Sequence, residues 1–389
     1  MTESKSQNHL LRSVSFTEAE ILSQPELWLK LYHEYQLVEQ ELKNYLNQLL
    51  DNNDIRIILT GAGSSAFIGD VLLGVYSNRF KNPVYAVATT DLVTHPELYF
   101  NKHNKYLLVS FARSGNSPES SQAIILSEEL SQSVSHLIIT CNSQSDLIEA
   151  VSLKNKFIFL LPPEANDKGL AMTASFTSML LAGLLISRIN DCEQLDEQID
   201  ILYKYGNRIL DVYSKDIQNA ASLNFKRAVF LGSGMLKGIA RESQLKLQEL
   251  TDGKVICKYD SFMGFRHGPK AVMDEDTLIV YLFSNNQYAN LYEKDLVATI
   301  AGSGKNLFSI GVMEDDIESA NVDLKIVFSE NDKKIQEEFL PVVSVLPAQL
   351  LAFYKSVNLG LNPDSPSESG MIHRVVQGVN IYPYNNGKE

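Results

Sequence analysis

Two stretches set 171 residues apart constrain the fold more than anything else in this chain: residues 56–69 read RIILTGAGSSAFIG and residues 227–240 read RAVFLGSGMLKGIA. In each, a β-branched, apolar run passes straight into Gly-x-Gly and then into a segment of helical spacing. A strand, a tight glycine turn and a helix open a βαβ unit, with backbone N–H groups and a helix dipole facing one point. Gly-x-Gly alone is weak evidence for any ligand. The rhythm that follows is stronger. Apolar runs at 55–59, 84–88, 106–110, 137–140 and 157–160 alternate with helical-period segments, and runs at 255–258, 278–283, 307–310 and 324–328 follow the second copy at similar spacings. Such alternation builds a parallel sheet, and its recurrence makes duplication the simplest account. The expected fold class is α/β: two doubly wound, flavodoxin-like parallel-sheet domains related by internal duplication, with an N-terminal helical arm.

Residues 1–50 supply that arm. Residues 1–12 are polar and expected to fray, Ser15 with Glu18 forms a capping-box signature for a short helix, and Pro25 starts a second. From there Leu27, Leu31, Tyr35, Val38, Leu42, Tyr45 and Leu49 keep helical spacing. Residues 169–189 read as one apolar helix of the first domain, and the more polar 191–219 as a helical linker. The organisation expected is an arm (1–50), a first domain (51–205) and a second domain with a C-terminal tail (206–389).

Hydrophobic residues make up 44% and charged residues 21% of 389. No segment approaches the roughly 18 consecutive apolar residues of a membrane helix, and the start, MTESKSQNHL, has no signal-peptide pattern. A cytoplasmic protein with no membrane partner is expected. Cys141, Cys192 and Cys257 are widely spaced and the histidines form no ligand motif, so neither a metal nor an organic cofactor is expected. A formal charge of −13 disfavours nucleic acid. It leaves room for a small phosphorylated ligand, which needs only a few local donors.

The two copies differ where chemistry would sit. The third apolar run of the first half leads into Ala112-Arg113-Ser114-Gly115-Asn116-Ser117 and then a helix, the outline of a phosphate cradle. Its counterpart, Phe283-Ser284-Asn285-Asn286, lacks the Gly and the Arg. Ser64 and Ser65, after Gly63, stand where helix-capping donors and phosphate donors are the same groups. The second half instead carries Glu242, Glu249, Arg266 and His267. Glu242 reads as a solvated carboxylate or one paired with Lys246 on its own helix. Glu249 ends that helix just before the next strand, near the strand edge where α/β sites form, and is a candidate general base. His267, in a Gly- and Pro-bounded loop, can pass a proton either way near neutrality. A composite site is expected, with its anchor from one half and its chemistry from the other.

Residues 241–269, RESQLKLQELTDGKVICKYDSFMGFRHGP, with ARSGNS and GAGSS, resemble the sugar isomerase (SIS) domain family in its double-domain form, of which the isomerase half of glucosamine-6-phosphate synthase is a familiar member. Residues 361–383, LNPDSPSESGMIHRVVQGVNIYP, are similar to the AgaS-type branch, galactosamine-6-phosphate deaminase/isomerases also known as tagatose-6-phosphate ketose/aldose isomerases. The resemblance implies a phosphate held by Ser64, Ser65, Arg113, Ser114 and Ser117, with the backbone near Leu170 closing the pocket. It implies that Glu249 transfers the proton and that His267, which in relatives can come from a neighbouring subunit, opens the sugar ring. Gly63, Glu242, Arg266 and His373 are supporting positions. Ala112 stands where the synthase has a phosphate-binding Ser, and Gln377, expected among the substrate-binding residues, where it has a Schiff-base Lys. The implied reaction is conversion of galactosamine 6-phosphate to tagatose 6-phosphate and ammonia through an enolamine. Plain ketose/aldose isomerisation and a non-catalytic phosphosugar-binding regulator are the alternatives, and a homodimer or a multiple of dimers is the expected assembly.

Overall fold

A computed structural model describes residues 15–51, 53–151, 155–304, 306–330, 333–376 and 378–384. The expectations for residues 1–12 and for Gln377 lie outside the described residues.

The arm is α1 (Phe16–Leu22) and α2 (Gln24–Leu50). The first half continues as β1 (Ile55–Thr60), α3 (Ser64–Arg79), β2 (Val84–Ala86), α4 (Thr89–Thr94), β3 (Lys105–Ala112), α5 (Pro118–Leu130), β4 (Ser133–Thr140), α6 (Asp146–Ala150), β5 (Lys156–Leu160) and α7 (Ala174–Ser187). Helices α8 (Leu195–Arg208) and α9 (Ser214–Ser222) lead into β6 (Arg227–Gly232), α10 (Met235–Leu250), β7 (Ile256–Asp260), α11 (Phe262–Phe265), β8 (Thr277–Leu282), α12 (Gln287–Ala301), β9 (Phe308–Met313), β10 (Leu324–Val327), α13 (Leu340–Ser344) and α14 (Leu346–Asn358). Both sheets have five strands in the same order, β2-β1-β3-β4-β5 and β7-β6-β8-β9-β10 in either direction of reading. Every pairing is parallel. This is the flavodoxin-like order, whose switch point lies between the first and third strands of each half.

The duplication holds at the level of backbone angles. Gly63 and Gly234 adopt φ 56°, ψ −129° and φ 55°, ψ −126°, a left-handed region that side chains with a Cβ rarely enter. Each releases its strand into the next helix at the same angle. Helices α3 and α10 then pack antiparallel across the junction of the halves. Ser64 meets Glu242 and Lys246, Asp70 meets Arg241 at 2.7 Å, and a Cβ on Gly238 would lie 2.5 Å from Val71.

Two sequence readings need correction. Helix α7 begins at Ala174, not at 169, because buried Asp167 accepts the backbone N–H groups of Thr173, Ala174 and Ser175 at 2.9–3.0 Å and the hydroxyls of Thr173 and Ser175. That carboxylate caps the helix and leaves residues 166–173 as a loop over the first sheet. The 191–219 segment is no loose linker: Leu195, Ile199, Leu202, Tyr205, Ile209 and Ile217 are buried in one apolar core that runs through both halves.

The arm joins that core through Trp28, Leu31, Tyr35 and Leu42. Buried Gln24 links Thr177 of the first half to Gln349 of the second, with side-chain hydrogen bonds of 2.7 Å each. The stretch Glu337–Asn358 is long and apolar enough to cross a bilayer, yet it is buried inside the protein, and α14 packs against α9 and α10.

Candidate functional site

A cavity of about 900 Å³ opens at the carboxyl edge of the first sheet. It is framed by the turn after β1, the loop after β3, the end of α10 and the C-terminal tail. The first two are the switch-point loops, where the fold leaves strand ends uncovered. Gly63, Ser64, Ser65, Arg113, Ser114, Gly115 and Ser117 all line it. Among the described residues the Ser65 hydroxyl has only the Met172 sulfur, at 3.9 Å, as a partner. Ser114 Oγ accepts from the Asn116 N–H at 3.4 Å, and the Ser117 and Ser120 hydroxyls are hydrogen-bonded to each other at 2.6 Å. Gly115 at φ 65° brings the loop so close to Ser145 that a Cβ would sit 2.6 Å from its side chain. Hydroxyls and helix N-termini therefore converge on one space, as anion recognition requires.

Ser64 lines the cavity and is also tied to the second half. Its hydroxyl donates to Glu242 Oε1 at 3.1 Å and accepts from Lys246 Nζ at 3.1 Å. Lys246 in turn donates to Glu249 Oε2 at 2.8 Å and lies 3.3 Å from Glu242. Glu242 and Lys246 are fully buried, whereas Glu249 is 25% exposed. Burial pushes the Glu242 carboxyl up, to about 7, against the pull of Lys246. Burial alone would push the Lys246 ammonium down, but Glu242 and Glu249 outweigh it and hold its pKa above the ordinary lysine value. Glu242 is thus paired with Lys246 on its own helix, one of the two readings expected of it, but buried and not solvated. Lys246 and Glu249 face the cavity.

Glu249 reaches the cavity by a route the sequence reading misplaced. It stands at the end of α10, beside the amino edge of the second sheet, where α/β sites do not form. The antiparallel packing of α3 on α10 lays that end over the carboxyl edge of the first sheet. Glu249 serves the first half's switch point.

Arg113 is buried, and its guanidinium donates to the backbone carbonyls of Leu170 at 3.1 Å, Gly169 at 3.5 Å and Arg374 at 2.6 Å. Burial lowers its pKa. Its visible work is to hold the 166–173 loop and the tail together. Leu170 lines the cavity while its N–H donates to the Asp364 carbonyl at 3.0 Å. Asp364 also accepts from the N–H of Phe16 and Thr17, at 3.0 and 2.8 Å, fastening the arm to the tail. Arg374 donates to the Asp167 carbonyl at 2.8 Å. The tail, expected to go with the second domain, lies across the first half's cavity, with Met371 to Val376 and Val379 to Tyr384 in its wall. His373 is at the exposed rim.

His267 is not at this cavity. It follows β7 and α11, at the carboxyl edge of the second sheet, while Glu249 lies at the amino edge of that sheet. Its side chain is exposed. Neighbouring Arg266 lies 4.0 Å from Asp295 and away from the cavity. The residues overlooked in the sequence were Lys246, read only as a helix-surface partner, and Glu119 of α5, which lines the cavity. The i, i+4 and i, i+3 spacing of Glu242, Lys246 and Glu249 put them on one face; nothing in it said the face was buried.

The structure defines a protein of two doubly wound α/β halves with a serine-lined cavity at one switch point, and a family model described as SIS domain matches residues 49–187. The chain belongs to the SIS domain family. It is 38% identical over 373 residues to the D-galactosamine-6-phosphate deaminase AgaS of Shewanella sp. (strain ANA-3), covering 95% of this chain and 92% of the relative. The crystal structure of tagatose-6-phosphate ketose/aldose isomerase from Escherichia coli superposes with a TM-score of 0.85 at 35% identity, covering 95% of this chain and 97% of that one. A solved structure from Clostridium novyi NT gives a TM-score of 0.91 at 40% identity over 95% of each chain.

Proposed function

We propose that the protein is an amino-sugar phosphate deaminase/isomerase that converts galactosamine 6-phosphate to tagatose 6-phosphate and ammonia. The observation that carries this reading is that Lys246 and Glu249 of the second half, backed by buried Glu242, line one cavity with the serines of the first. An anchor for a dianion and a carboxylate for proton transfer stand on facing walls. The relatives named as AgaS deaminases, similar over nearly the whole chain, support the substrate class.

The phosphate takes the Ser65, Ser114 and Ser117 hydroxyls and the adjoining helix N-termini, each charge-assisted bond contributing about 1.5–3 kcal/mol. Glu249 removes the proton from carbon 2 of the open-chain aldehyde and returns it to carbon 1, passing through an enolamine. Lys246, donating to Glu249 at 2.8 Å, orients that carboxylate and brings positive charge to the wall where negative charge develops. Water adds to the resulting ketimine at carbon 2 and ammonia leaves, giving the ketose. Ring opening by His267 requires a second copy of the chain, so the assembly proposed is a dimer or a multiple of dimers.

The E. coli neighbour's name favours plain ketose/aldose isomerisation as the second reading. Purified protein given galactosamine 6-phosphate and glucosamine 6-phosphate should release ammonia in step with ketose phosphate. Interconversion of aldose and ketose phosphates without ammonia would favour the isomerase. Binding without either product would leave a regulator.

A further inference from the structure

The first half's cavity wall holds a carboxylate that the fold does not account for. Glu119 stands in the first turn of α5, is 7% exposed and lines the cavity. Its Oε2 is enclosed and has no hydrogen-bond partner among the described residues. On either side of it Ser117 and Ser120 are hydrogen-bonded to each other at 2.6 Å. The start of a helix accommodates negative charge but supplies no partner to that oxygen, and an unpaired buried carboxylate is costly. No hydrogen bond reaches the Glu119 carboxylate from the described residues, and the side chain borders the cavity, so a donor there would meet an acceptor the fold leaves unused.

We propose that Glu119 is a specificity-determining residue that accepts a hydrogen bond from a hydroxyl in the middle of the sugar chain. The inference rests on the reading of this cavity as a sugar-phosphate site. Glu119 shares its helix turn with Ser117 of the cradle, whereas carbons 1 and 2 must lie at Glu249 on α10. A carboxylate on the cradle side repels the phosphate itself. It faces the carbons between the phosphate and carbon 2, whose polar groups are hydroxyls. Inorganic phosphate would fill the cradle and leave Glu119 unpaired; a polyol phosphate would satisfy both.

The test compares galactitol 6-phosphate, which has no carbonyl or amine and cannot turn over, with inorganic phosphate by calorimetry. Glu119→Ala should weaken galactitol 6-phosphate about tenfold or more and leave inorganic phosphate within about twofold. Glu119→Gln, which keeps the shape, should fall between. Neither variant should lower the melting temperature, because each replaces a side chain that makes no hydrogen bond to the described residues. Equal losses on both ligands, no loss on either, a fall in melting temperature with both substitutions, or no binding of galactitol 6-phosphate by the unaltered protein would each overturn the proposal. Ammonia release is not used, so the two readings fail separately. Turnover with unchanged polyol binding by Glu119→Ala overturns this inference alone, and the expected binding difference without turnover overturns only the deaminase.

Discussion

The two halves of the molecule share a backbone and divide its uses. At the first switch point Gly63 is followed by Ser64 and Ser65, and the loop after β3 leaves hydroxyls facing a cavity. At the second, Gly234 repeats the angles but Met235 and Leu236 follow, and the loop after β8 is filled by the protein's own carboxylates. The Ser284 N–H donates to Glu293 Oε2 at 3.1 Å, its hydroxyl to Glu337 at 2.7 Å, and Asn285 to Glu314 at 2.8 Å. Glu293 is buried, and burial pushes its carboxyl up to about 7 despite hydrogen bonds from Ser233 and Ser284. The opposing helix faces are divided too. The positions on α3 that correspond to Glu242, Lys246 and Glu249 at the 171-residue offset are Val71, Val75 and Asn78. One end of the pseudo-symmetric pair has donors and charge, and the other has an internal anion and an apolar helix face. The same turn becomes a ligand site only where side chains leave its donors unclaimed.

The sharpest way to break this division is at Glu249. Glu249→Gln should reduce turnover of hexosamine 6-phosphate by about 10²–10⁴-fold while inorganic phosphate binds as before. Retained turnover would remove Glu249 as the base and with it the second half's chemical role. The next effect is on anion binding. Calorimetry should count one inorganic phosphate per chain, with Ser65→Ala weakening it about tenfold and Leu236→Ala, at the counterpart position, changing nothing. Two phosphates per chain would mean that Glu293 does not close the second site.

The smallest effect concerns Glu293 itself. A carboxyl raised from its ordinary range to about 7 binds more protons folded than unfolded, so its contribution is present below about pH 4.5 and is lost as pH rises through 7. Glu293→Gln should raise the melting temperature by about 2–4 °C at pH 8 and by nothing at pH 4. A gain that is the same at both pH values would show that packing, not charge, sets the effect.

Much of this was legible in residue order. The GxG turns, the alternating runs and the missing Gly and Arg of the second loop announced two parallel sheets and a cradle confined to the first. Lys246 and Glu242 were not legible, because a helix face with Glu, Lys and Glu at i, i+4 and i+7 looks alike whether water or another helix covers it. The start of α7 was missed because its cap, Asp167, lies before the expected helix. The strand order places His267, after β7, at the carboxyl edge of the second sheet and outside its own chain's cavity, so a role at that cavity needs a second copy of the chain.

The sequence by itself determined that strands and helices alternate and build two parallel sheets, since this follows from hydrophobic period, glycine turns and strand succession, all local. Only the tertiary structure decided what the cradle faces. The antiparallel seating of α3 on α10 carries Glu249 and Lys246 across the boundary between halves, and the tail, held by Arg113 and Asp364, covers them. Those contacts join residues more than a hundred positions apart, and their physical cause is the burial of two helix faces against each other, which no local pattern encodes.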